Sequence, residues 1–210
     1  MAYDTPSAWI YLVDDEFAVR DSMQIFIEST GRKVKTYPSA EAFLKDFDPE
    51  IPGCLILDVR MPLMDGLELQ EELSKREFNL PIIFISGNAG IPDSAKAFRA
   101  GALDFLEKPF DNKVLLERVD EAITKDIHSK QQQAEKRQIK ACLESLTVRE
   151  FEVLQLIVHS HSNKEAAKVL DVSHRTIETH RANIMEKLQA KDIAALANLL
   201  TKYELIDRIN

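Results

Sequence analysis

Polar side chains follow four short apolar runs of the sequence, at the point where each run ends. These side chains are Asp14 with Asp15, Asp58, Ser86 and Lys108. Short continuous apolar runs are typical of strands buried on both faces of a parallel sheet, and such sheets bind ligands beyond the carboxyl ends of their strands. We therefore expect three carboxylates, a hydroxyl and an ammonium to meet at one edge of a sheet.

This set of groups suits phosphoryl chemistry. Three neighbouring carboxylates repel one another, and Mg²⁺ relieves the repulsion because it prefers oxygen ligands. Mg²⁺ and a lysine together neutralise the charge of a transferring phosphoryl group. Asp58 is the best candidate nucleophile, which would become an acyl phosphate, because it ends a central apolar strand. The alternative is that each residue merely caps a strand or a helix. Capping readily explains any one of these residues, but not four such sites at the ends of successive strands.

Strand and helix patterns alternate over residues 1–124 and predict an α/β domain with a five-stranded, parallel, doubly wound sheet. Ser39 is expected to cap a helix, Pro92 to lie in a first turn, and Gly31 and Gly101 to end helices. The predicted helices span about 18–28, 40–47, 67–76, 94–100 and 113–126.

The residues around the polar sites resemble the receiver domain of two-component response regulators, over about 7–124. The matching segments are 13–16 (Val-Asp-Asp-Glu), 57–62 (Leu-Asp-Val-Arg-Met-Pro), 65–66 (Asp-Gly), 85–87 (Ile-Ser-Gly) and 107–110 (Glu-Lys-Pro-Phe). The resemblance implies a CheY-like fold and phosphorylation of Asp58 by a sensor histidine kinase. It also implies an Mg²⁺ site formed by Asp14, Asp15, Asp58 and the backbone carbonyl of Arg60. Lys108 would pair with the phosphoryl oxygens, Ser86 would hydrogen-bond them, Phe105 would rotate inward, and Gly87 would leave room for the phosphohistidine.

Charge is unevenly distributed along the 210 residues. Residues 1–124 hold 13 basic and 23 acidic residues, a net charge of −10, which suits a cation site and argues against nucleic acid as a partner of this region. Residues 125–142 carry +3 and residues 143–210 carry −1. The sequence shows neither a membrane-spanning run nor a signal peptide, and its two cysteines do not suggest a disulfide, so we expect a cytoplasmic protein.

Residues 125–142 are rich in Gln, Lys and Arg and lack Gly and Pro, which predicts a helical linker. A solvated connector is one interpretation, and a helix that helps to pair two protomers is the other. Residues 143–210 then show helical periodicity throughout, with a capping box at Thr147 and Glu150 and later helices over about 163–170, 176–189 and 193–203. Two short helices joined by the turn 171–173 describe a helix-turn-helix, although the pattern alone also fits a plain four-helix bundle.

Three segments resemble the LuxR-type helix-turn-helix: Leu-Thr-x-Arg-Glu-x-Glu-Val-Leu at 146–154, Asn-Lys-Glu-Ala-Ala at 163–167 and Thr-Ile-Glu-Thr-His-Arg-Ala-Asn-Ile-Met-x-Lys-Leu at 176–188. With the receiver resemblance, nearly the whole chain is similar to the NarL/FixJ family, in its FixJ-like branch. The resemblance implies a transcription factor, controlled by phosphorylation, that binds a two-fold promoter site in double-stranded DNA as a homodimer, with RNA polymerase as a further candidate partner.

The family pattern places Glu178, Thr179 and Ala182 against the major groove, on a helix opened by Thr176. The candidate phosphate contacts are Lys164, Arg175, His180, Arg181 and Lys187, and for each the alternative is a solvated charge. Glu178 stands where many relatives carry lysine, and Ser160 where many carry glycine. We expect dimerisation through the face formed by residues 92–124, with apolar area from Ala95 and Phe98 and with a pair between Arg99 and Glu117 across the axis.

Two other functions remain open on the sequence. One is an Mg²⁺-dependent aspartyl phosphohydrolase, although Arg60 stands two residues after Asp58, where such a reaction would use a second carboxylate as its acid. The other is a binding module whose DNA or protein contacts do not depend on phosphorylation. We favour a regulator that transfers and hydrolyses its own phosphoryl group but is not an enzyme with turnover.

Overall fold

A computed structural model describes residues 8–87, 91–159 and 161–205, with the backbone alone at 91–93. Ser160 lies outside the described residues. The chain divides into two compact units, Met1–Gln131 and Gln132–Asn210, and the division falls within the predicted linker.

Five parallel strands alternate with helices in the first unit, as predicted. They are β1 (Trp9–Val13), α1 (Phe17–Ser29), β2 (Lys33–Tyr37), α2 (Ala40–Asp46), β3 (Gly53–Asp58), α3 (Gly66–Lys75), β4 (Ile82–Ser86), α4 (Ile91–Arg99), β5 (Asp104–Glu107) and the start of α5 (Asn112–Glu144). The strand order β2-β1-β3-β4-β5 puts β3 at the centre of the sheet. This order reverses direction next to β1, and such a switch point is where doubly wound sheets bind their ligands.

Alternation along β3 divides the core of this unit into two layers. Leu55 and Leu57 pack into one apolar cluster, which includes Phe43 of α2, Leu69 of α3 and Ala97 of α4. Cys54 and Ile56 pack into the other cluster, with residues of α1 and α5. All six residues of β3 are buried, as the apolar run predicts for a strand covered on both faces.

The helix caps and helix ends predicted from the sequence are present in the first unit. The Ser39 side chain accepts the Ala42 N–H and caps α2. Gly31 and Gly101 follow helices with φ angles of 79° and 91°, a backbone region that suits glycine. Helix α4 begins at Ile91, three residues before the predicted start, so that Pro92 lies in its first turn.

The second unit is helical, with the end of α5, then α6 (Val148–Val158), α7 (Asn163–Val169), α8 (His174–Lys187) and α9 (Ile193–Lys202). Ile139 and Leu143 of α5 join its core, which also contains Leu154, Ile184 and Leu200. The capping box predicted at Thr147 and Glu150 is present. Helix α8 begins two residues before the predicted Thr176 because the Ser173 side chain accepts the N–H of Thr176 and so acts as the N-cap.

In the ranges that the structure describes, no helix is both long enough and apolar enough to span a membrane.

Candidate functional site

Three of the predicted acid-site residues meet at the carboxyl end of the sheet. Asp14 follows β1, Asp58 ends β3, and Lys108 follows β5. The Lys108 ammonium donates to Asp14 Oδ2 at 2.9 Å and to Asp58 Oδ1 at 2.8 Å. Asp14 is 1% exposed and Asp58 is 7% exposed, so two buried carboxylates share one ammonium.

Burial and shared charge decide the protonation of this site. Burial raises the pKa of Asp58 above its ordinary value, and the nearby Asp14 charge adds to the shift, against the opposing bonds from Lys108 and the Arg60 N–H. Burial opposes the charge of Lys108, but its bonds to Asp14 and Asp58 outweigh that effect and raise the Lys108 pKa. The site therefore holds more negative charge than its lysine neutralises, in a place with little water.

The predicted magnesium ligands are only partly assembled. Asp15 is exposed, and Arg60 is adjacent to the site through its backbone N–H, which donates to Asp58 Oδ2 at 2.7 Å. Within the described ranges, no three His, Cys, Asp or Glu side chains are grouped as a metal site. The oxygen donors of Asp14 and Asp58 suit Mg²⁺ chemically, but the Lys108 ammonium bridges them here.

The predicted switch residues lie along the same edge. Ser86 ends β4, is 1% exposed, and accepts the Lys108 backbone N–H through its carbonyl at 2.7 Å. Phe105 of β5 is half-buried and stacks on Phe84, with 6.0 Å between the ring centroids. A Cβ at Gly87 would meet no atom within 4 Å, so the chain itself does not demand glycine there.

Gly66 is a positioning residue of this site, to which the sequence analysis gave no role beyond its place in the segment 65–66. A Cβ at Gly66 would lie 2.3 Å from the carbonyl oxygen of Asp58, and the Gly66 N–H donates to the Val59 carbonyl at 3.0 Å. Glycine thus lets α3 start directly against the end of β3. The Asp65-Gly66 pair, a helix cap followed by glycine, was the available signal.

The predicted dimerisation residues lie on α4 and α5. Phe98 is 48% exposed, Ala95 is half-buried, and Arg99 and Glu117 are exposed. Glu117 lies 3.9 Å from Lys113 within the same helix, a weak exposed contact. Val114 on α5 is 36% exposed and adds apolar area that the sequence reasoning missed.

Helix α8 presents one polar stripe in the second unit. Glu178, Thr179 and Ala182 are all exposed, and so are Arg175 and Asn183 at helical spacing from them. Ile177 and Ile184 of the same helix are buried. The predicted base-reading residues therefore share the face that α8 turns away from the core of its unit.

Two of the predicted phosphate contacts are engaged inside the second unit. The Lys187 ammonium donates to Glu150 Oε2 at 2.7 Å, and an Arg181 Nη1–H donates to Asn163 Oδ1. This contact engages Lys187 within the helical unit, and its part in phosphate binding stays a prediction. Lys164 and Arg175 are exposed, as a phosphate contact requires.

Two further residues of the predicted DNA-binding helix, Thr176 and His180, are less exposed. Thr176 is half-buried, and its hydroxyl pairs with Ser173 Oγ at 2.8 Å. His180 is half-buried, and its Nδ1 is buried without a hydrogen-bond partner in the described structure, so only Nε2 is left to reach a phosphate.

Glu150 is a buried carboxylate of the helical unit, and its environment stabilises its charge. It accepts from Lys187 and from the Thr147 N–H, and these bonds outweigh burial and lower its pKa to about 2. Glu150 therefore takes part in a capping box and also pairs with Lys187, so its charge is compensated and its role is structural.

Comparison with known proteins assigns both units. Residues 10–120 match the model of the response regulator receiver domain, and residues 144–200 match that of the bacterial regulatory proteins of the luxR family. The chain belongs to the response regulator family. It is a two-component response regulator with a LuxR-type DNA-binding domain, and this supports the main prediction over the hydrolase and phosphorylation-independent alternatives.

Individual relatives cover most of the chain. The response regulator protein TmoT of Ectopseudomonas mendocina is 41% identical over 190 residues, which are 90% of this chain and 86% of that protein. The transcriptional regulatory protein FixJ of Rhizobium meliloti is 39% identical over 191 residues, 90% of this chain and 93% of that protein. The structure of the response regulator StyR matches with a TM-score of 0.87 and 38% identity, and covers 94% of this chain and 100% of that one.

Proposed function

We propose that this response regulator accepts a phosphoryl group on Asp58 from a sensor histidine kinase, and that phosphorylation promotes dimerisation and promoter binding. The observation that carries the proposal is the buried Asp58 carboxylate, which shares Lys108 with a second buried carboxylate at the end of the central strand.

The transfer begins with attack of an Asp58 oxygen on the phosphorus of the phosphohistidine. The P–N bond breaks, an acyl phosphate forms, and the imidazole nitrogen retains the electron pair and takes up a proton. Asp14, Asp15, Asp58 and the Arg60 carbonyl are the proposed ligands of Mg²⁺, which when bound supplies positive charge to the phosphoryl oxygens. Lys108 turns from the carboxylates to the phosphoryl oxygens, and the Ser86 hydroxyl donates to one of them.

Dimerisation follows through the α4 and α5 face in this proposal. Phe98 and Val114 offer exposed apolar area there, and Arg99 with Glu117 is the proposed pair across the two-fold axis. A symmetric dimer presents two copies of α8, whose Glu178, Thr179 and Ala182 read bases while Lys164 and Arg175 hold phosphates. Dimerisation matters because residues 143–210 carry a net charge of only −1, so one copy has weak attraction for DNA.

The test is capture of fragmented genomic DNA by the purified full chain, with and without Mg²⁺ and beryllofluoride, which mimics the acyl phosphate. We expect fragments with two-fold symmetric sites to be enriched only with the mimic. The Asp58→Asn variant should lose this response, whereas Asp48→Asn, which removes an exposed acid elsewhere in the receiver, should keep it.

Each other outcome contradicts part of the proposal. Equal enrichment with and without the mimic would support a phosphorylation-independent DNA-binding module. Enrichment by the Thr179→Ala variant equal to that of the wild type would contradict base reading by α8. Turnover of an external phosphate ester by the wild type but not by Asp58→Asn would revive the phosphohydrolase alternative.

A further inference from the structure

A second buried carboxylate lies at the opposite end of the strand that carries Asp58. Asp126 on α5 is 1% exposed. Its Oδ2 accepts the N–H of Gly53, the first residue of β3, at 2.8 Å. Lys130, one turn further along α5, donates to both Asp126 oxygens at 2.8 and 2.7 Å. A buried charge is unfavourable unless it is paired in this way, and nothing in the proposed phosphoryl chemistry uses this pair.

Asp126 occupies a position where the helical pattern calls for an apolar residue. Leu115, Val119 and Ala122 form the buried stripe of α5 in the first unit, and Asp126 is the next residue at this spacing. Beyond it, residues 131–138 are all exposed. Asp126 is therefore the last buried side chain of α5 before the helix continues into the second unit.

The partner of Asp126 is fixed by backbone geometry. A Cβ at Gly53 would lie 2.2 Å from the carbonyl oxygen of Trp9, so the close approach of β3 to β1 requires glycine here. The buried Gly53 N–H needs an acceptor, and the Asp126 carboxylate supplies it from α5. This contact joins the start of the central strand to the helix.

Apolar packing contributes less at this level of α5 than one turn earlier. A cavity of about 340 Å³ lies beside the contact, between Asp126 and Ser129 of α5, Leu73 of α3 and Ile82 of β4. The hydrogen bonds of Asp126 thus lie at a level of α5 where the cavity leaves part of the helix without van der Waals contacts.

We propose that the Asp126–Gly53–Lys130 contact is a latch that fixes the end of the docked part of α5 to the strand carrying Asp58, and that the latch couples the state of Asp58 to DNA binding. The coupling rests on the function proposed above, and the latch itself does not. Strand β3 thus ends at Asp58 and begins at Gly53, where Asp126 attaches helix α5. Helix α5 then continues into the DNA-binding unit.

Hydrogen exchange of the full-length chain tests the latch without DNA. In Asp126→Ala, we expect the amides of residues 124–138 to exchange at least about tenfold faster than in the wild type, as the loss of a charged hydrogen bond implies. Asp126→Asn, which keeps an acceptor for Gly53 but loses the ion pair, and Lys130→Met should give smaller increases. The matched control is Asp120→Asn, which removes an exposed acid of the same helix that binds Arg32. Equal exchange in Asp126→Ala and Asp120→Asn would overturn the latch.

DNA affinity with and without beryllofluoride tests the coupling. We expect Asp126→Ala to reduce the ratio of the two affinities by at least about threefold, while Asp120→Asn leaves it unchanged. Faster exchange with an unchanged ratio would overturn the coupling and leave the latch as a structural contact. A wild-type ratio of one would instead contradict the proposed function, and the exchange data would still decide the latch. If Asp126→Ala does not fold, Asp126→Asn and Lys130→Met are used for both the hydrogen-exchange and the DNA-affinity measurements.

Discussion

Two carboxylates that accept from a lysine at similar distances have pKa values shifted in opposite directions. Lys108 donates to Asp58 at 2.8 Å, and Lys187 donates to Glu150 at 2.7 Å. Burial raises the pKa of Asp58, with help from Asp14, whereas the bonds from Lys187 and Thr147 lower the pKa of Glu150 to about 2. The distance of an ion pair therefore does not reveal its role. The carboxylate whose charge is poorly compensated is the one that a bound cation would stabilise, and the compensated one stabilises its fold.

The largest expected effect concerns the backbone at the Asp58 site. Gly66→Ala should lower the free energy of unfolding of the receiver by about 3 kcal/mol, because its Cβ would overlap the Asp58 carbonyl. Gly87→Ala is the matched control, since a Cβ there meets nothing within 4 Å. Denaturant unfolding followed by the fluorescence of Trp9, the single tryptophan, reports on the receiver. Similar losses in the two variants would show that the Asp58 site does not depend on this close approach.

The Glu150 contact should respond to loss of its charge with a smaller effect. Glu150→Gln should destabilise the second unit by about 2 kcal/mol, because Lys187 and the Thr147 N–H lose a charged acceptor. Glu152→Gln, which breaks the exposed contact with Arg149 on the same helix, should cost less than about 0.5 kcal/mol. The hydrogen-exchange protection of α6 and α8 amides measures the loss of stability in both variants. Equal losses in Glu150→Gln and Glu152→Gln would mean that Glu150 contributes no more than an exposed ion pair.

The stabilisation by Glu150 should also depend on pH in a defined window. Its pKa is about 2 in the folded chain against an ordinary value of 4.5, so the folded state binds its proton less readily than the unfolded state. The stabilisation that Glu150 contributes is fully present above pH 4.5 and is lost as the pH falls toward 2. The difference between wild type and Glu150→Gln should shrink across that interval, and a constant difference would exclude charge as its source.

The sequence predicted features that rest on local chemistry. The strands, the Thr147 and Glu150 capping box, the Ser39 cap and the meeting of Asp14, Asp58 and Lys108 all follow from neighbouring residue types and from the direction of parallel strands. It did not predict the Gly66 approach, the partner of Asp126 or the bond between Lys187 and Glu150. These depend on residues far apart in sequence, whose distances only packing decides. The early start of α8 was missed because Ser173 was read as part of the turn and not as a cap.

The smallest expected effect is a gain in stability, whereas loss of the Glu150 charge should reduce stability. It tests most directly whether the Asp58 and Glu150 sites differ in charge compensation. Asp14→Asn, measured in EDTA, should stabilise the receiver by about 1 kcal/mol, because it removes a buried charge that competes with Asp58 for Lys108. The raised pKa of Asp58 means that wild-type stability falls as the pH rises from 3.8 through that pKa, and Asp14→Asn should reduce this loss. Asp15→Asn, at the adjacent exposed acid, is the control and should change the stability little. If Asp14→Asn destabilises as Glu150→Gln does, then both carboxylates are ordinary structural partners of their lysines, and the argument that surplus negative charge prepares Asp58 for a cation fails.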